Sequence, residues 1–86
     1  MQPTPPFWFM LRQGKMESVS PDSFRLTAPN LTEAFISIRP GDHNGWLAAV
    51  RLTQDGPEVA RTEGELATPQ EAWEAAFELY RIHLVV

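Results

Sequence analysis

The segment from Thr68 to His83, TPQEAWEAAFELYRIH, constrains this chain more than any other, because both its start and its apolar face are legible in the residues. Thr68 offers a capping hydroxyl, Pro69 occupies the first helical position, where no N–H is needed, and Glu71 completes a Thr-x-x-Glu capping box. At about 100° per residue, Trp73, Ala76, Phe77, Tyr80 and Leu84 fall on one face, flanked by Ala72, Leu79 and His83. Gln70, Glu71, Glu74, Glu78 and Arg81 fall opposite. The pattern predicts an amphipathic helix whose apolar side must be covered by a sheet or by a second helix.

The residues upstream supply a sheet. Glu33–Arg39 alternates, with Ala34, Ile36 and Ile38 on one face and Phe35, Ser37 and Arg39 on the other. Trp46–Thr53 alternates too, with Trp46, Ala48, Val50 and Leu52 inward and Leu47, Ala49, Arg51 and Thr53 outward. Between them Pro40-Gly41-Asp42-His43-Asn44-Gly45 is a dense turn signal, so the pair reads as an antiparallel hairpin. Asp55-Gly56-Pro57 marks another turn, and Glu58–Thr62 a further strand. Phe24–Thr27 is a short alternating run, and Met16–Val19 reads as a strand pairing back on Phe7–Leu11 before Ser20-Pro21-Asp22 breaks it. The expected fold is α+β: an antiparallel sheet of three to five short strands with one long C-terminal helix packed across one face. Residues 1–6 are expected as a flexible proline-rich lead-in and residues 7–86 as a single α+β domain.

A domain of 86 residues buries only roughly 60–65% of its unfolded surface, so its core is thin and oligomerisation would help it. Large apolar groups that a small core leaves over are therefore candidates for a partner contact. Phe7-Trp8-Phe9-Met10-Leu11 cannot all face one side of a strand, so either the domain covers both faces of it or one face is left for a partner, and in the second case Trp8, with Phe7 and Phe9 beside it, is the candidate exposed anchor. At the other end Ile82, Leu84, Val85 and Val86 add apolar groups on several sides of the helix, with Ile82 and Val85 pointing away from the predicted core, so this end either switches to a strand or packs against another subunit. These six residues, Phe7, Trp8, Phe9, Ile82, Val85 and Val86, form the predicted partner-binding set.

Signals for chemistry are weak by comparison. With no cysteine there is no disulfide or thiol, which suits a cytoplasmic location. Forty residues separate His43 from His83, and neither stands in a metal-ligand spacing. No serine lies in a Gly-x-Ser-x-Gly elbow, the glycines are too scattered for a phosphate cradle, and Glu71, Glu74 and Glu78 read as a solvated helix face. Glu63 and Glu65 precede the helix, within reach of Arg61 for a surface ion pair. No catalytic, cofactor-binding, metal-binding or small-molecule site is expected. No apolar run approaches the roughly 20 residues that span a bilayer. The net charge of −4 is uneven, with three basic and eight acidic residues from position 41 onward, and no cationic footprint is visible along the chain. That counts against a nucleic-acid partner.

From Phe35 to Leu84 the outline resembles antitoxins of the HicB type, through Phe35-Ile36-Ser37-Ile38, Gly45-Trp46-Leu47-Ala48-Ala49-Val50, Gly64 and the helix opening Thr68-Pro69-Gln70-Glu71-Ala72. It also resembles small domains of the double-stranded-RNA-binding type, through Val59-Ala60-Arg61-Thr62-Glu63-Gly64. The resemblance implies a nucleic-acid-associated or antitoxin-like regulatory module. The residues themselves favour a small soluble binding domain that acts by protein–protein contact, as a homodimer, without catalysis.

Overall fold

The structure is a computed structural model describing residues 3–85. In chain order it contains α1 (Phe7–Leu11), β1 (Lys15–Ser20), β2 (Ser23–Thr27), β3 (Ala34–Pro40), β4 (Trp46–Arg51), β5 (Glu58–Arg61) and α2 (Pro69–Leu84). The five strands form one antiparallel meander in the order β1-β2-β3-β4-β5, and α2 lies across β3, β4 and β5. This is the α+β architecture expected from the alternation and the capped helix, with strands at the upper end of the predicted range.

The helix begins where its cap predicts. Thr68 is extended and its Oγ1 accepts the N–H of Glu71 at 3.1 Å. Ala72, Trp73, Ala76, Phe77 and Tyr80 are buried against Phe24, Leu26, Ala34, Ile36, Ile38, Ala48 and Val50. Small residues at positions 72, 76 and 48 let the helix approach the sheet, while the Phe24 and Trp73 rings meet edge to face with centroids 5.1 Å apart. Tyr80 is fully buried, and its hydroxyl donates to the Thr32 carbonyl at 3.3 Å, so no polar atom is orphaned there.

The beginning of the chain departs from the predicted strand. Phe7–Leu11 is a single helical turn opened by Pro6, whose carbonyl accepts from Phe9 and Met10. A turn of helix pairs the N–H groups of Phe9, Met10, Arg12, Gln13 and Gly14 with carbonyls three to five positions back, whereas a strand here would need a neighbouring strand for all of its bonds. β1 consequently pairs with β2, not with Phe7–Leu11, and the reversal at Pro21-Asp22 brings Ser20 opposite Ser23. The run Gln13-Gly14 ends α1, with Gln13 in the left-handed region at φ 59°. Gly14 is needed because any Cβ there would collide with the Phe9 ring. Residues 3–6 run as extended chain, with Pro3, Pro5 and Pro6 half-buried.

Two further differences concern β4. Leu52, expected inward, lies beyond the strand end at Arg51 and is exposed. Ala49, expected outward, is buried although it sits on the face away from α2. Its shield is electrostatic in composition: Arg39 and Arg51 reach past Ala49 from either side to the same oxygen of Glu58, Oε2, at 2.6 and 3.2 Å. The arginine stems supply the cover that a hydrophobic layer would otherwise provide.

Candidate functional site: three surfaces

The predicted partner-binding set divides once it is placed on the fold. Phe9 has no accessible surface, packing on Phe77 and Tyr80 with ring centroids 5.7 and 5.9 Å away, so it belongs to the core and is not available to a partner. Trp8 is half-buried and stacks on Tyr80 at 6.1 Å; it anchors α1 to α2 and is not a free aromatic knob. Phe7 is 74% exposed, and two residues the sequence reading passed over, Met10 and Leu11, join it at 56% and 67%. Positions 7, 10 and 11 stand one helical turn apart and share the outer side of α1. Within five consecutive apolar residues this i, i+3, i+4 set does not stand out from its neighbours, so the sequence carries no separate signal for it.

At the other terminus the helix continues through Leu84. Ile82 is 58% exposed, and Val85 is half-buried against the core, its N–H donating to the Arg81 carbonyl. Val86 lies outside the described residues. Ile82 is separated around the helix by about 160° from Tyr80, the residue that receives α1. The exposed parts of the two predicted ends therefore do not merge into one patch.

A second surface is a groove of about 420 Å³ between the N-terminal end of α2 and the ends of β3 and β4. Trp46, Trp73 and Ile38 line its apolar part, Asp22 and Glu74 stand at its polar part, and the lead-in residues Pro3 and Thr4 border it. Trp46 is held here by a two-bond bridge to Leu66, N to O at 2.8 Å in both directions. That bridge ties the segment before α2 to the start of β4.

The third arrangement involves Glu65, which does not pair with Arg61. Its carboxylate turns into the β3–β4 loop and accepts the N–H of Gly45 at 2.8 Å and that of His43 at 3.0 Å, with His43 Nδ1 3.1 Å away. Gly41 and Gly45 leave the space it fills, since a Cβ at either would strike the Glu65 side chain. Partial desolvation pushes the Glu65 pKa up, but the Gly45 N–H bond and the His43 contacts outweigh it and hold the carboxyl below the ordinary glutamate range. A depressed carboxylate contributes its stabilisation in full above the unfolded-state pKa, about 4.3, and loses it as pH falls through the folded value. Acidification below about pH 4 is therefore expected to release the loop. Amide resonances of His43 and Gly45 should titrate together, and Glu65→Gln should abolish that joint titration; independent titration of the two amides would contradict the lock.

His43 is otherwise solvent-exposed, and among the described residues no group of three or more His, Asp or Glu side chains is gathered in a way that could hold a metal ion. No described helix is long and apolar enough to cross a membrane. Compared with known protein families, with curated proteins and with solved structures, the chain gives no match.

Proposed function

We propose that this chain is a protein-binding module of the cytoplasm that associates with a second copy of itself through α1, without chemistry of its own. One observation carries this reading: Phe7, Met10 and Leu11 stand exposed on a single helical turn whose inner residue, Phe9, is fully buried. A turn held rigid from within loses little conformational freedom when its outer side chains are covered, which lowers the cost of association. Large apolar side chains bury on the order of 150 Å² or more each, so the three form a patch of a few hundred Å², the size at which exposed apolar surface marks an interaction site. A twofold contact is self-complementary by symmetry and suits so small a patch extended by its polar rim. Sedimentation equilibrium up to about 1 mM protein tests this. A reversible dimer is expected, and Phe7→Ser with Leu11→Ser should weaken it by at least about tenfold while leaving the thermal midpoint in place. A strict monomer throughout that range removes the self-association reading.

A further inference from the structure

We infer that the face of the sheet turned away from α2 is a binding surface for single-stranded nucleic acid. This rests on an observation independent of α1: the meander gathers cations that are scattered along the chain. Lys15, Arg25, Arg39, Arg51 and Arg61, five of the seven basic residues, share this face by register: Arg25, Arg39 and Arg51 alternate with the buried residues of their strands, Lys15 pairs with Thr27 and Arg61 with Ala49. Glu17, Glu33 and Glu58 are the acidic residues that form ion pairs with them. Five cations are thus gathered on one side against three paired carboxylates, on a chain whose net charge is −4. A polyanion approaching this molecule is steered to one side of it.

The pairing within the face separates structural cations from available ones. Arg25 is saturated by Glu33, its Nε and Nη2 both donating to Oε1 at 2.9 and 2.7 Å, a contact that holds its guanidinium pKa above the usual value. Arg51 is also consumed, donating to Ser37 Oγ, the Gly56 carbonyl and Glu58. Arg39 shares that Glu58 oxygen and spends only Nη1 on it, and neither Arg61 nor Lys15 has an ion-pair partner among the described residues. The single carboxylate of Glu58 thus holds two guanidiniums, those of Arg39 and Arg51, and Arg39 and the unpaired Arg61 keep donors for further oxygens. Phosphate oxygens match those donors.

Two neighbours favour a nucleic-acid strand over a simple anion. Phe35 lies in the same cross-sheet row, between Arg25 and Arg51, half-buried and open to the solvent side, where a base can stack on it. The next row reads Ser20, Ser23, Ser37 and Ala49 and ends at Arg61, a shallow course of small side chains leading to a free cation. A single strand can lay unstacked bases along such a face, whereas a duplex keeps its bases inside and offers no aromatic contact.

Fluorescence anisotropy with a labelled thymidine strand of about 15 nucleotides tests the inference at low salt. Saturable binding is expected, with a log–log salt slope of about −2 for three phosphate contacts, so that raising salt from about 50 to 200 mM weakens it by about 20-fold. Arg39→Gln with Arg61→Gln should weaken it by about tenfold, and Phe35→Leu by a similar factor, with unchanged circular dichroism certifying the fold. Absence of salt-dependent binding overturns the inference. So does equal affinity for the matching duplex, tighter binding of poly-glutamate of the same length, or indifference to the arginine pair. Because α1 packs on α2, on the other side of the sheet, Phe7→Ser with Leu11→Ser should leave nucleic-acid binding intact, so the two readings stand or fall separately.

Discussion

Replacement of Phe9 by alanine is expected to cost about 3–5 kcal/mol, which is most of the stability available to a domain of this size at roughly 0.05–0.15 kcal/mol per residue. The ring has no accessible surface and contacts Phe77, Tyr80 and Trp8, and Gly14 is kept small to admit it. Removing it empties the junction at which α1 joins the body of the fold, and the apolar neighbours cannot close the gap without moving α2. Urea denaturation should show the midpoint falling sharply or the cooperative transition disappearing. Phe7, two positions earlier, provides the control. It is exposed, so Phe7→Ala should stay within about 0.5 kcal/mol of the parent in the same measurement. Equal effects at positions 7 and 9 would mean that α1 is not seated as described.

Trp73→Ala is expected to be comparably costly, about 3–5 kcal/mol. Trp73 is nearly buried, meets Phe24 edge to face and lines one wall of the groove that also holds Trp46. Its loss would uncouple the first turns of α2 from β2 and enlarge the groove. Trp73→Phe keeps the aromatic contact with Phe24 and should recover more than half of the loss. Thermal or urea unfolding distinguishes the two variants, and an alanine variant as stable as the parent would show that the groove already carries that wall as free surface.

The exposed surfaces have different physical characters and so make different demands on a partner. α1 presents apolar area with little polarity, which rewards burial irrespective of the partner's sequence. The open sheet face presents charge that is already half-compensated internally, so a partner gains there only by offering more than one negative group at a spacing that Arg39 and Arg61 can both reach. Glu65 belongs to neither. It fixes the β3–β4 loop from within, and through the Trp46–Leu66 bridge beside it that loop is continuous with the segment entering α2.

How far these surfaces were legible in advance depends on how local their causes are. The cap at Thr68, the buried stripe of α2 and the alternation of β3 arise from periodicity and from residues three or four positions apart, and they appear in the structure as read. Phe7–Leu11 was illegible as a helix because five consecutive apolar residues carry no period, and only the absence of a strand neighbour decides their backbone. Ala49 lies on the outward side that alternation predicts, and its burial there was not legible because alternation reports which side a residue is on, not whether long side chains from Arg39 and Arg51 will cover that side. Glu65 offered no clue, since its partners lie 20 and 22 positions away.

The sequence by itself determined that a capped amphipathic helix would lie across an antiparallel sheet, because backbone hydrogen bonding and the burial of apolar stripes act over a few neighbouring residues. Tertiary structure alone decided which of the two phenylalanines flanking Trp8 is core and which is surface. It also decided that arginines spaced 10 to 14 positions apart, at 25, 39, 51 and 61, share one face. Strand register sets those relations, and register is fixed by the packing of the whole sheet against α2, not by any segment of the chain.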